Sequence, residues 1–147
     1  SLDPSDCPGG AGESNRLQGV VTFYGPSDWN ALFADPARAG TANGEKRFLG
    51  LTTACTTPSD QAGICRTASA TTYIDARDPP FFISHSDDDP VVPVGQSRLM
   101  KASLEDAGVS VQYREITGQA HGWHSKFGVA TIAALRDEIV RWLAALR

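Results

Sequence analysis

The stretch PPFFISHSDDDPVV, residues 79–92, limits the possible folds more than any other part of the chain. Its two leading prolines mark the entry to a strand, because proline cannot donate a hydrogen bond inside a sheet. The apolar run 81–83 has no alternation, which is typical of a strand covered on both faces. Polar residues then follow without a gap over 84–89. In parallel α/β sheets ligands bind beyond the carboxyl ends of the strands. The stretch therefore predicts either a functional site or an acidic turn with an Asp as helix cap.

The order of elements predicts a single α/β domain over residues 1–147 with mainly parallel strands and flanking helices. Helical periodicity is clear at 94–107, which Gly108 ends, and at 129–146. The weakly periodic segment 36–78 is interpreted as a cap-like excursion with short helical turns. The remaining predicted elements are a loop at 1–18 and strands at 19–25, 80–86 and 109–114. The last of these alternates and is therefore placed near a sheet edge.

Composition excludes several classes of function. The 147 residues carry a net charge of −4, which argues against a nucleic-acid partner. No apolar run is long enough to predict a membrane span. The start of the chain has neither an initiator Met nor a basic and apolar leader, so we expect that the natural N-terminus lies elsewhere.

The three cysteines leave the compartment open. Cys55 and Cys65 are close enough in sequence for a local disulfide, which would fit an exported protein. Three reduced thiols, including Cys7, in a cytoplasmic protein fit the sequence equally well.

Three segments together resemble the C-terminal half of an α/β-hydrolase of the bacterial carboxylesterase, feruloyl-esterase-like and acyl-peptidase-like branch. They are FYGPSDW at 23–29, the run at 78–108, and GQAHGW at 118–123. The family pattern His-Gly-x-x-Asp-x-x-Val is matched from His85, with Ser86 where Gly is usual, and the resemblance implies that Asp89 is the triad acid. The pattern Gly-x-x-His-Gly-Phe implies that His121 is the base. Both follow strand ends, so we expect them to meet.

Two motifs of the resembled family are absent from the sequence. The nucleophile elbow Gly-x-Ser-x-Gly does not occur in the chain, and an HGGG-like oxyanion segment is missing as well. We therefore expect a hydrolase fragment with little or no turnover of small esters by itself and no cofactor. It would self-associate, or bind the missing N-terminal half, through the exposed strand 19–25. Trp123, next to the predicted base, either lines a substrate pocket or packs in the core.

Two alternatives also fit the sequence. The side chains of His85, Asp89 and His121, with other acidic residues and His124 nearby, include usable metal ligands and define a candidate metal site. The chain also fits a non-catalytic binding module that keeps a hydrolase-like half-fold, because fold does not imply function.

Overall fold

A computed structural model describes residues 16–36, 43–51, 55, 60–126 and 130–146. The sheet in these residues has three parallel strands in the order β1-β2-β3. The strands are β1 (Val20–Phe23), β2 (Phe81–Ser86) and β3 (Val111–Ile116). Val20 and Val111 both align with Phe81 in register. This confirms the predicted parallel α/β architecture.

Strand β2 is the centre of the sheet and is covered on both faces. The helices are α1 (Trp29–Ala34), α2 (Asn43–Phe48), α3 (Asp60–Ala68), α4 (Gly95–Asp106) and α5 (Ala130–Ala144). Phe82 packs with Ile132 and Ile139 of α5, whereas the next residue, Ile83, packs with Leu104 of α4. Successive strand residues point to opposite faces, so an apolar run without alternation is what a strand between two helices needs.

The predicted excursion at 36–78 contains short helices, as expected. Besides α2 and α3 it holds a 3₁₀ turn at Ala70–Tyr73. Cys55 and Cys65 form a disulfide with Cα atoms 6.2 Å apart, beside buried Phe33 and Leu51. The oxidised alternative is therefore the one observed, whereas export itself stays a prediction. Cys7 and most of the predicted loop at 1–18 lie outside the described residues.

The ends of the helices follow local chemistry. Asp28 caps α1, since its Oδ1 accepts the Ala31 N–H at 2.8 Å. Gly108 follows α4 with φ of 79°, the left-handed conformation that glycine adopts most easily. Periodicity did not predict that the first turn of α4 buries two polar residues, Gln96 and Ser97. In the described part of the chain no helix is both long and apolar enough to cross a membrane.

Candidate active site

Two loops meet at the carboxyl edge of the sheet, one after β2 and one after β3. Gly118 donates its N–H to Asp87 Oδ1 at 2.9 Å, and Gln119 donates its N–H to Ser86 Oγ at 3.0 Å. The N–H of Asp87 also donates to the carbonyl of Ile116 at 2.9 Å. These bonds fix one loop against the other. Ser86, at the position where the resembled family has Gly, therefore contributes a hydrogen-bond acceptor that glycine lacks.

The structure brings Asp89 and His121 into contact, as their positions after neighbouring strands predicted. His121 Nδ1 lies 2.8 Å from Asp89 Oδ2. The carboxylate side chain is 0% exposed, whereas the imidazole is 31% exposed. An ionised carboxylate can only accept, so Nδ1 carries the proton of this bond. In the neutral ring the lone pair is then on Nε2.

The second oxygen of Asp89 is held by backbone groups. Oδ1 accepts the N–H of Val91 at 2.8 Å and of Val92 at 2.9 Å. Burial alone would raise the pKa of Asp89, but the two N–H groups and the His121 ring outweigh it, so the pKa lies below its ordinary value. Asp89 is therefore an ionised acceptor at neutral pH. Asp87 and Asp88, in contrast, are exposed at the turn.

His85 lies near Asp89, but its ring nitrogens are not free to bind the metal that the metal alternative requires. It is fully buried, with Nδ1 2.7 Å from Ser97 Oγ and Nε2 2.8 Å from the carbonyl of Val92. The described residues contain no group of three or more His, Cys, Asp or Glu side chains that could hold a metal ion. The metal alternative built on His85, Asp89 and His121 is therefore wrong for this part of the chain. The physical reason is that both ring nitrogens of His85 are engaged by protein groups.

Sequence reasoning missed Tyr24 as a neighbour of the site. Its ring centroid lies 4.4 Å from that of His121, and its hydroxyl shares a hydrogen bond with His124 Nδ1. Burial and then the charge of Asp89 raise the pKa of Tyr24, so the phenol stays protonated at neutral pH. Its φ of 41° is uncommon for a residue other than glycine. A position directly after β1, at the same sheet edge as both loops, was the available signal.

Trp123 packs in the core. Its side chain is 1% exposed and lies in a cluster with Phe82 and Ile132. Its ring meets Phe23 edge to face with centroids 5.1 Å apart. Of the two alternatives that the sequence left open, this arrangement favours packing. A side chain buried in this way has no surface with which to contact a substrate.

Parallel strands with helices on both faces, and polar loops at the carboxyl edge, are the architecture of open α/β sheets. The similarity to solved esterase structures identifies this sheet as part of an α/β-hydrolase fold. The BD-FAE family model matches residues 6–104, which is more than half of the chain. The chain belongs to the BD-FAE family.

Similar proteins agree with this assignment. Over 65 residues the chain is 40% identical to esterase LipQ of Mycobacterium tuberculosis; the match covers 44% of the chain and 15% of LipQ. An acetyl ester-xyloside bifunctional hydrolase of Caldicellulosiruptor lactoaceticus has a TM-score of 0.69 at 23% identity, covering 89% of the chain and 43% of that protein. A bifunctional GH43-CE protein of Bacteroides eggerthii has a TM-score of 0.65 at 27% identity, covering 87% and 16%. The chain therefore spans less than half the length of each.

Proposed function

We propose that this chain supplies the acid and the base of a Ser-Asp-His triad that hydrolyses small carboxylic esters, with Asp89 as the acid and His121 as the base. The observation that carries the proposal is the 2.8 Å contact between His121 Nδ1 and a buried carboxylate oxygen of Asp89. Membership of an esterase-type family supports the reaction class.

The geometry fits the proton transfers of ester hydrolysis. Neutral His121 accepts the proton of a serine hydroxyl at Nε2 while the serine oxygen bonds to the ester carbonyl carbon. When the tetrahedral intermediate collapses, the bond to the leaving alcohol breaks and that alcohol takes the proton from Nε2. A water molecule then repeats the sequence on the acyl-enzyme and releases the acid. Asp89 holds Nδ1–H throughout and stabilises the imidazolium.

The nucleophile comes from polypeptide outside these 147 residues. The sequence contains no Gly-x-Ser-x-Gly motif. Ser97 is not a substitute, because it is 3% exposed and bonds to His85 rather than His121. By itself the chain is therefore expected to show little or no turnover, since an isolated acid and base lack both nucleophile and oxyanion donors.

The edge of β1 supports an upstream hydrolase segment as the partner. Val20 donates its N–H to the carbonyl of Pro80, just before β2, and Tyr24 donates its N–H to the carbonyl of Ser84 within β2. Pairing alternates along a parallel strand, so the backbone of Val21 between them faces away from β2. In the described sheet β1 is an outer strand, and all four of its residues are only half-buried. An edge of this kind is a template for another strand.

A cavity of about 150 Å³ lies beside the same strand. It is lined by Val20 and Thr22 of β1, by Phe81 and Ile83 of β2, and by Met100 of α4, among others. A second chain that pairs with β1 would place side chains near this apolar space and exclude water from it. The occupant in this proposal is the remainder of the hydrolase, and a second copy of the chain is the alternative outcome.

The catalytic assignment is tested in a protein that carries the upstream segment. A fluorophosphonate probe should label it, and a short-chain aryl ester should be hydrolysed. Asp89→Asn should lower kcat by about 10³–10⁴-fold, because the amide selects the wrong tautomer of the base. His121→Ala should lower the rate of probe labelling by a similar factor. Asp88→Asn, at an exposed residue, is the matched control.

Equal activity of Asp89→Asn and Asp88→Asn in that protein would refute the assignment. If the upstream segment adds no labelling although the protein is folded, the non-catalytic binding module is the correct interpretation.

The partner proposal is tested by sedimentation of the 147-residue chain, alone and with the upstream segment as a separate polypeptide. Val21→Pro removes an N–H that points away from β2 and that only a strand added beside β1 could accept. The substitution should therefore weaken association at least about tenfold. Val21→Thr keeps that N–H and is the control. A monodisperse chain that binds neither itself nor the upstream segment would contradict the proposal.

A further inference from the structure

The mechanism above leaves His85 unused, although it is the buried titratable group nearest to Asp89. Its side chain is 0% exposed, and its Nε2 lies 3.5 Å from Asp89 Oδ2. The same nitrogen is closer to the Val92 carbonyl, at 2.8 Å. On the other side of the ring Nδ1 lies 2.7 Å from Ser97 Oγ.

These contacts determine the tautomer of His85. A carbonyl oxygen can only accept, so Nε2 must carry a hydrogen. Burial lowers the pKa of His85, and the Val92 carbonyl and Asp89 oppose that effect without cancelling it. The ring is therefore neutral at neutral pH, Nδ1 has the lone pair, and Ser97 Oγ–H donates to it. Glu115, His121 and Tyr24, whose ring centroid lies 6.3 Å from that of His85, are the other charged or titratable groups that the structure describes against this ring.

The ring of His85 forms a hydrogen bond with Val92, which in turn forms a hydrogen bond with Asp89. Val92 accepts from His85 through its carbonyl and donates to Asp89 Oδ1 through its N–H. Val91 donates to the same oxygen. With Oδ1 occupied by these two donors, Oδ2 is the oxygen that meets His121. The orientation of the carboxylate thus depends on where the turn 89–92 is held.

We propose that His85 is a positioning residue for the proposed triad: as the Nε2–H tautomer, with Nδ1 accepting from Ser97, it anchors the Val92 carbonyl and so directs Oδ2 of Asp89 toward His121. This inference depends on the assignment of Asp89 and His121 as acid and base. It assigns no proton transfer to His85, because the hydrogen on Nε2 points to a carbonyl.

Two substitutions separate positioning from mere space filling. His85→Gln places an amide nitrogen at the distance of Nε2 from the backbone, so it can still donate to the Val92 carbonyl. His85→Asn places its nitrogen at the distance of Nδ1, so it can reach Ser97 but not Val92. Ser84→Ala alters the preceding buried residue, whose hydroxyl bonds to the carbonyl of Arg114 instead, and is the control for general weakening of β2.

The readout is NMR of the 147-residue chain, with ¹⁵N spectra for the histidine rings and ¹³C for the Asp89 carboxyl. The Nδ1–H of His121 should exchange with water about tenfold faster in His85→Asn, and within about twofold of the unchanged rate in His85→Gln and Ser84→Ala. The pKa of Asp89 should move up toward its ordinary value in His85→Asn alone, because the Val91 and Val92 donors separate from Oδ1.

The unsubstituted chain provides a test that requires no variant to fold. Its ¹⁵N shifts should show His85 as the neutral Nε2–H tautomer at neutral pH. An Nδ1–H tautomer or a charged ring would overturn the inference, as would an unchanged His121 Nδ1–H in folded His85→Asn. These spectra report the Asp89–His121 contact without turnover. If the protein that carries the upstream segment is inactive, the proposed function is refuted. The role of His85 in positioning Asp89 is still decided by the NMR spectra.

Discussion

Replacing Asp89 with Asn tests whether a buried carboxylate, rather than any polar side chain, holds the turn and the imidazole together. Asn keeps one oxygen for the N–H groups of Val91 and Val92, which now donate at 2.8 and 2.9 Å to a charged acceptor. Its amide nitrogen is placed against His121 Nδ1, where the carboxylate accepted a hydrogen. The substitution therefore changes the charge and one donor at nearly constant shape.

The expected loss follows from the strength of the two backbone bonds. A hydrogen bond to a charged group contributes about 1.5–3 kcal/mol and a neutral one about 1 kcal/mol. Neutralising the acceptor of two such bonds should lower the free energy of unfolding by about 1–4 kcal/mol at neutral pH. The carboxylate is 0% exposed, so solvent screening does not reduce this figure as it would at the surface.

The loss should depend on pH in a definite direction. The pKa of Asp89 is lowered in the folded chain, so the unfolded state binds more protons in the acidic range. The stabilisation from the carboxylate is therefore complete above the unfolded pKa of about 3.9. It disappears as the pH falls through the lower, folded pKa. The difference between the unsubstituted chain and Asp89→Asn should shrink accordingly.

Urea denaturation followed by tryptophan fluorescence measures this difference at about pH 7 and in steps down to about pH 3. Asp88→Asn removes the same charge one position earlier, at an exposed residue, and should change the free energy of unfolding by less than about 0.5 kcal/mol. The reasoning fails if the loss for Asp89→Asn is the same at both ends of the pH range, or if the control loses as much.

Reduction of a disulfide and two further substitutions, with one control substitution, test the packing that supports the site. Reduction of the Cys55–Cys65 disulfide, which has a sequence separation of 10, should lower the free energy of unfolding by about 3 kcal/mol, as measured by urea midpoints with and without reductant and by thiol counting. Phe82→Ala in the centre of the sheet should cost about 3–5 kcal/mol, whereas Val140→Ala, on the exposed side of α5, should stay within about 0.5 kcal/mol. Gln96→Ala should cost about 2–4 kcal/mol, since its Oε1 accepts two backbone N–H groups; an unchanged urea midpoint would show that water replaces it.

The amino-acid pattern was sufficient to predict the strands and helices that follow a simple periodicity. An apolar run without alternation gave the central strand, and the periodic segments gave α4 and α5 within a few residues. The contact of Asp89 with His121 followed from a general property of parallel sheets, in which consecutive strand ends meet at one edge.

Other features were outside the reach of pattern reasoning. The burial of Gln96 and Ser97 breaks the amphipathic rule, because the first turn of α4 faces polar groups of the 27–28 turn and of His85. Tyr24 follows a predicted strand end, but it meets His121 only because β1 and β3 both pair with β2, although 97 positions in the sequence, 24 to 121, separate them. Trp123 packs in the core for a similar reason, since its neighbours come from β1, β2 and α5.

The sequence by itself determined that the chain forms a parallel α/β sheet with a carboxylate and an imidazole at adjoining strand ends, because both are consequences of local periodicity and strand order. Only the tertiary structure decided which groups hold them there. The acceptor at Ser86, the donors at Val91 and Val92 and the ring of His85 act through distances and angles, and hydrogen-bond partners in a folded chain are set by how the elements pack rather than by their spacing along it.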